Sequence, residues 1–496
     1  MYKLFTVRII FFIYFFITAI TLIAQPVQPP QEQDQPTDYL SATFHAGRRA
    51  ALREIMPANS VMVVFAFPTR TFSNDIDYFY HPNPDMYYFS GYKEPHAVLF
   101  IFKSEQHDSS ANKFNELLFV QKKNPQAEQW TGKRLGTEGV KEKLGISKSY
   151  NGEEFKNTSI DFTKFDKIIF DRFPIDIPNS TRDNADLYDL VQQFKQKAVI
   201  PDDYSKDNRF DNSLYRQLTG QLREIKTPEE MGLIRKAVEI SCQGQNEVMK
   251  ALRPDMSELE IQGLHEYVHK KYGAEGVGYG SIIGAGENGC VLHYMENTKT
   301  KIGTSMVLMD VGAEYHGYTA DVTRTVPADG KFSGEEKIIY QLVYDAQEAA
   351  FNLLKDGAKW LDAGTAAKEI IATGLLKLGI IKDKKEVNKY YPHGLSHHIG
   401  LDVHDRGFSQ SLKKGMVITI EPGVYIPEGS DCEKKWWGIA VRIEDDALIT
   451  QDGYELLSFF APRKIEDIEK MVAQKSAVDD FKLPKLKSAE KDKKAF

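Results

Sequence analysis

Cysteine is scarce in this 496-residue chain. The three present, Cys242, Cys290 and Cys432, are odd in number and widely scattered, which argues against a disulfide framework even in an oxidising compartment. Positive charge is not in excess either: 63 Lys and Arg against 70 Asp and Glu leave a formal net charge of −7, which gives no basis for nucleic-acid binding. With those classes set aside, the composition is that of an ordinary globular protein, 42% hydrophobic and 27% charged, and the length suffices for two domains with substantial cores.

An unbroken apolar run occurs at the amino terminus. Lys3 and Arg8 precede residues 9–17, the run continues weakly to Ala24, and residues 25–36 are rich in Gln and Pro. This is the layout of a signal peptide over 1–24, with Ala24 as the last residue before cleavage, followed by a linker over 25–38. Leu22 is larger than the small residue such sites prefer, so an uncleaved membrane anchor is the alternative. The expected location is exported, periplasmic or secreted. No cysteine near Ala24 offers a lipid attachment point.

Beyond the linker, residues 61–67, 97–102, 117–121 and 167–171 are short β-branched and aromatic runs separated by polar or helical segments, which predicts an α/β amino-terminal domain over 39–205. Asp, Asn and Lys are dense between 200 and 222, where apolar periodicity fades and a boundary is expected. A second domain over 206–471 follows. Thr227, Pro228 and Glu230 form a capping threonine, a proline at the first helical position and a glutamate three residues on, so a helix should run towards Leu252, where Pro254 blocks continuation. Ser257 with Glu260 and Ser333 with Glu336 repeat the device, and the last helix should end near Gly357. Helices alternating with antiparallel hairpins predict an α+β domain with helices backing one face of a sheet. Residues 472–496, lysine-rich from 482 to 494, read as a solvated tail.

Five residues between 310 and 444 are the candidates for the chemistry: Asp310, Asp321, His397, Glu421 and Glu444. Residues 306–310 read as a strand, 314–317 as a turn and 318–326 as the returning strand, so Asp310 and Asp321 fall on neighbouring strands of one hairpin. Thr419 and Glu421 share one face of a strand opposite Ile418 and Ile420; Arg442 and Glu444 oppose Ile439, Val441 and Ile443. His397 comes from 393–400, whose glycines suit a turn or a close backbone approach. A lone Asp at a strand end is usually a turn or capping residue. Four carboxylates and a histidine embedded together in apolar strands are another matter, because about four partly buried negative charges are prohibitive unless cations neutralise them. Two divalent ions balance that charge. Four carboxylates and one imidazole suit Mn²⁺ while admitting Co²⁺, Zn²⁺ or Fe²⁺. Cys290 sits near this set, and a small buried thiol is its expected role; His398 has no assignable one.

These motifs, with Asp310 in Met-Asp-Val-Gly-Ala, Asp321 in Thr-Ala-Asp-Val-Thr-Arg-Thr, His397 closing His-Gly-Leu-Ser-His, Glu421 in Ile-Glu-Pro-Gly-Val-Tyr and Glu444 in Val-Arg-Ile-Glu-Asp-Asp, resemble the pita-bread metallopeptidases. Within that family the likeness is to Xaa-Pro aminopeptidase, or aminopeptidase P, from about residue 44 to 471, including Pro84 to Tyr92. The resemblance implies two divalent metals, usually Mn²⁺, sharing a water whose bridging hydroxide attacks the peptide, and release of the first residue from peptides with proline second. It implies Glu421 as proton acceptor and donor, and His293 and His404 as donors to the carbonyl and the oxyanion. It places His393 beside the proline pocket and Arg442 in support of Glu444. It also suggests a homo-oligomer. Xaa-Pro dipeptidase, prolidase, shares the ligand pattern and stays open; methionine aminopeptidase, which normally lacks this amino-terminal domain, fits less well. Some pita-bread proteins are non-catalytic peptide binders that have lost metal ligands, whereas all five are present here. A basic substrate-contacting residue carried by the family has no clear counterpart between 200 and 227.

Overall fold

The computed structural model describes residues 36–479 and 483, with 109 and 182 excepted. The expected signal peptide, most of the linker and, Leu483 apart, the lysine-rich run lie outside the described residues. Among the described residues no helix is long and apolar enough to cross a membrane.

Strands Ser60–Phe65, Val98–His107, Lys113–Val120, Ser149–Asn151 and Lys167–Phe170 form one mixed sheet in the order 149–151, 113–120, 98–107, 60–65, 167–170. Its three inner strands are antiparallel and both outer pairs are parallel. The expected α/β character is therefore present. Alternation along Ser60–Phe65 divides two cores: Val61, Val63 and Phe65 join Phe100, Phe162 and Phe194 on one face, while Met62 and Val64 join Tyr88, Ile234 and Val238 on the other. Ile234 and Val238 belong to helix Pro228–Ala251, so the second face of this sheet is covered by the carboxy-terminal half, and residues from Leu40 onward form one compact unit.

The segment between 200 and 222 is more ordered than its polar composition suggests. Residues Asn212–Arg223 form a helix: Asp211 caps it by accepting the Leu214 N–H at 2.8 Å, and Tyr215 and Leu218 are buried along one face. The few apolar side chains stand at helical spacing and are diluted by Asn, Arg and Gln. This helix delivers Arg223 to a buried ionic cluster. Arg223 donates to Asp85 at 2.9 Å, to Asp402 at 2.6 Å and to Asp405 at 2.5 Å, while Lys226 reaches Asp405 at 3.0 Å and Arg406 reaches Asp85 at 2.7 Å. Burial alone would raise the Asp405 carboxyl, but Arg223 and Lys226 hold it down to about 2. Gly400 packs so tightly here that a Cβ would lie 2.1 Å from Asp405 Oδ2. Asp85 belongs to the amino-terminal helix Pro84–Ser90, so the cluster ties the amino-terminal domain to the 402–406 loop of the carboxy-terminal one.

The capping signals behave as expected. Thr227 and Glu230 make a full capping box for Pro228–Ala251, Ser333 and Glu336 another for Gly334–Phe351, and Ser257 accepts the Glu260 N–H to open Glu258–Lys271. The 334–351 helix ends six residues before the expected Gly357, because Leu353 and Leu354 donate to the carbonyls of Ala350 and Phe351, three residues back, and the helical ladder stops. Gly334–Phe351 and Trp360–Lys377 pack together behind the strands that carry the polar site, in one large apolar core.

Replacing Arg223 by leucine leaves Asp85 and Asp405 buried without their partner, and the expected cost is about 3–5 kcal/mol in a urea titration; a loss below about 1 kcal/mol would mean the cluster is not holding the domains. A second expectation concerns acid. His265 and His269, one helical turn apart, are fully buried with no ring nitrogen hydrogen-bonded among the described residues, and burial lowers both, His269 to about 4. The unfolded rings protonate near 6.5. The stability they contribute is therefore complete above that pH and falls as pH drops towards 4, by about 1.4 kcal/mol per ring per pH unit. Denaturation midpoints of His269→Phe should fall less steeply than the parent's between pH 6.5 and 4.5, and parallel slopes would contradict the assignment.

Candidate metal centre and peptide cleft

Strands Met306–Val311 and Val322–Pro327 pair antiparallel with Asp310 opposite Thr323, and Asp321 immediately precedes the second strand. The connection is tighter than the four residues expected: Ala313–Tyr315 pairs with Tyr318–Thr319, and His316 and Gly317, with φ of 50° and 85°, make a two-residue turn. A Cβ on Gly312 would lie 1.9 Å from the Ala320 carbonyl oxygen, so the strands meet there only because that residue is glycine. Strand Val417–Ile420 stops just before Glu421, and Ile439–Arg442 carries Arg442 with Glu444 two residues beyond. The Glu444 N–H donates to the Thr323 carbonyl at 3.1 Å, which fastens the second pair of strands to the aspartate hairpin.

His397 lies on the irregular 393–400 segment, held where its N–H donates to Thr419 Oγ1 at 3.1 Å. Its Nδ1 faces the His398 carbonyl at 3.0 Å and so carries the proton, leaving Nε2 3.5 Å from both Asp321 and Glu421. Ligating atoms of Asp321, His397 and Glu444 lie within 4.8 Å of one another. All five expected residues line one cavity of about 400 Å³, together with His293, His393, His404 and Arg442. Four carboxylates and one imidazole converging there fit hard or borderline divalent cations.

Sequence reasoning missed Tyr279. Its hydroxyl donates to Asp310 at 2.5 Å and lies 2.6 Å from Asp321, holding the two carboxylates side by side. The flanking Gly278 and Gly280 were the available signal. Arg442 was expected to support Glu444, but it approaches that residue only at 4.0 Å; its close partners are Asp310 at 2.5 Å and Tyr425 at 2.9 Å, while Thr323 donates to Glu444 at 2.6 Å. His393 stands 2.8 Å from the Tyr425 hydroxyl and 3.6 Å from Glu421, and the His404 ring meets His397 edge-on at 4.4 Å. His293 also lines the cleft and is exposed. His398 turns away, buried against Trp360. Among the described residues that line the cleft Arg442 is the only arginine and no lysine appears, so the sought basic residue from 200–227 is not there; Arg223 and Lys226 are committed to the ionic cluster. Cys290 lies outside the lining, and burial pushes its thiol up to about 12.

The electrostatics of the cavity call for positive charge. Burial, with Asp321 and Asp310 nearby, raises Glu421 to about 8 and Glu444 well above the usual carboxylate range. Burial also raises Asp321, while at Asp310 the charge of Arg442 and the hydrogen bonds from Tyr279 and Arg442 together outweigh burial and lower it. Despite burial, the neighbouring Asp321 and Glu421 raise His397 to about 9. Without cations the cluster holds protons in their place.

Known proteins share this arrangement. Metallopeptidase family M24 matches residues 232–451, and the aminopeptidase P N-terminal domain matches residues 45–168. Xaa-Pro aminopeptidase of Escherichia coli is 35% identical over 437 residues, covering 86% of this chain and 96% of that protein. Human Xaa-Pro aminopeptidase 3 is 31% identical over 458 residues, covering 89% and 88%. The structure of Pseudomonas aeruginosa aminopeptidase PepP superposes with a TM-score of 0.78 at 31% identity, covering 88% of this chain and 99% of that one. Aminopeptidase P from E. coli with the inhibitor Pro-Leu gives 0.76 at 33% identity, covering 88% and 98%. An amino-terminal aminopeptidase P domain joined to a pita-bread domain, with a cavity suited to divalent metal, places this chain in the Xaa-Pro aminopeptidase family of M24 metallopeptidases, which makes it a metal-dependent exopeptidase.

Proposed function

We propose that this enzyme releases the first residue from peptides with proline in second place, and that Asp310, Asp321, His397, Glu421 and Glu444 hold two divalent ions, most suitably Mn²⁺. The observation that carries this is the convergence of those five side chains on one cavity. When bound, such a pair of cations lowers the pKa of a shared water and polarises the scissile carbonyl. The chain's own residues do the rest. Glu421, deprotonated once the ions are held, is suited to take a proton from the attacking water and pass it to the prolyl nitrogen, which has none of its own and leaves as a secondary amine. His404 and His293, on the walls of the cleft, are placed to donate to the carbonyl and then to the oxyanion. His393, fixed by Tyr425, borders the space for the proline ring. Tyr279, Arg442 and Thr323 orient carboxylates, and sequestering Arg442 against Asp310 limits the net negative charge.

The domain limits read from sequence, export directed by residues 1–24 and assembly into a homo-oligomer are part of the same reading. Names of relatives favour the aminopeptidase over the dipeptidase.

Mass spectrometry of products, with Mn²⁺ supplied, separates the two. An Xaa-Pro-Yaa tripeptide should lose its first residue in preference to hydrolysis of an Xaa-Pro dipeptide, and Asp310→Ala or Glu444→Ala should abolish the reaction; preferential dipeptide cleavage would promote prolidase, and activity in both variants would contradict the mechanism. Cation binding must also displace the protons held at Glu421 and Glu444. Calorimetry of Mn²⁺ binding in buffers of different ionisation enthalpy should therefore show proton release at pH 7, with affinity rising as pH is raised towards 8; binding without proton release would refute the neutralisation argument. Tyr279→Phe, which leaves both aspartates without their shared donor, should weaken the metal by about 10–100-fold, and unchanged affinity would remove Tyr279 from the site.

A further inference from the structure

Two buried glutamines stand behind the metal cavity in matching positions. Gln245 lies on helix Pro228–Ala251 and Gln347 on helix Gly334–Phe351, and both are fully buried. The Gln245 amide nitrogen donates to the carbonyls of Met309 at 2.9 Å and Val322 at 2.8 Å. That of Gln347 donates to the carbonyls of Ile420 at 2.9 Å and Ile443 at 3.1 Å, and lies 2.9 Å from Asp445 Oδ2. Met309, Ile420 and Ile443 immediately precede Asp310, Glu421 and Glu444, and Val322 immediately follows Asp321. Each glutamine therefore joins the two chain segments that bring one pair of carboxylates to the cavity, the aspartates for Gln245 and the glutamates for Gln347.

Filling space does not account for these side chains. A buried amide costs free energy unless it is hydrogen-bonded, and an unbranched apolar side chain such as methionine would occupy similar volume without that cost. The Gln245 Oε1 is buried with no hydrogen-bond partner among the described residues, so what this amide contributes comes from its nitrogen. The Gln347 Oε1 accepts from Arg463 at 2.8 Å, which turns its nitrogen towards the strands. An amide nitrogen carries two hydrogens and spans two carbonyls at once. Being neutral, it adds no positive charge beside the four carboxylates, as a lysine or arginine there would. A residue has only two soft backbone dihedrals, so fixing the peptide plane next to it restricts the direction in which its side chain leaves. We propose that Gln245 and Gln347 are positioning residues for the metal site, each holding two ligand-bearing segments in register from behind. Their role rests on the reading of Asp310, Asp321, Glu421 and Glu444 as metal ligands and assigns one amide to each pair.

The test is calorimetric titration of Mn²⁺ into the metal-free full chain and into Gln245→Met and Gln347→Met, which lack the donor. Gln243→Met and Gln341→Met serve as controls, since those glutamines lie on the same two helices but donate to Glu247 and Asp345. Gln245→Met and Gln347→Met should each bind Mn²⁺ about 10–100-fold more weakly than the parent, and the controls with parental affinity. Urea titration of the metal-free forms separates a packing role from a positioning one. A Gln245 or Gln347 variant that loses stability yet binds Mn²⁺ as tightly as the parent would overturn the proposal, and so would an equal loss of affinity in the controls. Should a methionine variant not fold, Gln245→Asn or Gln347→Asn, which withdraws the amide by one methylene, replaces it under the same criteria. A parent that binds no Mn²⁺ would sink the metal reading itself, and this inference with it.

Discussion

Like charge gathered in one cavity is the constraint around which the catalytic half is arranged. Asp310, Asp321, Glu421 and Glu444 would repel one another in a low-dielectric pocket, and the protein answers in part with Arg442, His397 and the Tyr279 hydroxyl. That answer is incomplete, because Glu421 and Glu444 still retain protons well above the ordinary carboxylate range. The deficit is what the proposed pair of divalent cations would fill. A polar cluster so costly when empty is set largely at the ends of strands, where hydrogen bonds such as Glu444 N–H to the Thr323 carbonyl fix its geometry.

The amino-terminal domain contributes to the same end from a distance. Asp85 takes hold of Arg223 and Arg406, Arg223 takes hold of Asp402 and Asp405, and His404 stands between those two aspartates in sequence. A side chain on one wall of the cleft is thereby positioned by contacts that cross the domain boundary. The domain thus serves as a clamp on the loop.

Much of this was legible in the sequence because it rests on local signals. Threonine, serine and glutamate at capping spacing announced three helices, and period-two alternation around Glu421 and Glu444 placed them at the ends of polar strand faces. The five candidate ligands converge as expected. What could not be read depends on partners far apart in the chain. Tyr279 is 31 and 42 residues from the aspartates it bridges, and Arg223 is 138 residues from Asp85. The 212–223 helix was hidden by its polar composition, and its burial comes from tertiary contacts that a local window does not contain. Arg442 was paired with the nearer glutamate in sequence, whereas the fold turns it to Asp310. The end of the 334–351 helix was set by a tightening of its hydrogen bonds rather than by the glycine farther on.

The most direct measurement of the central claim is an anomalous-scattering map from crystals of the full chain grown with Mn²⁺. The account predicts two manganese peaks in the cavity, contacted between them by Asp310, Asp321, His397, Glu421 and Glu444. A single peak, or none, at full occupancy of the crystallisation metal would contradict it.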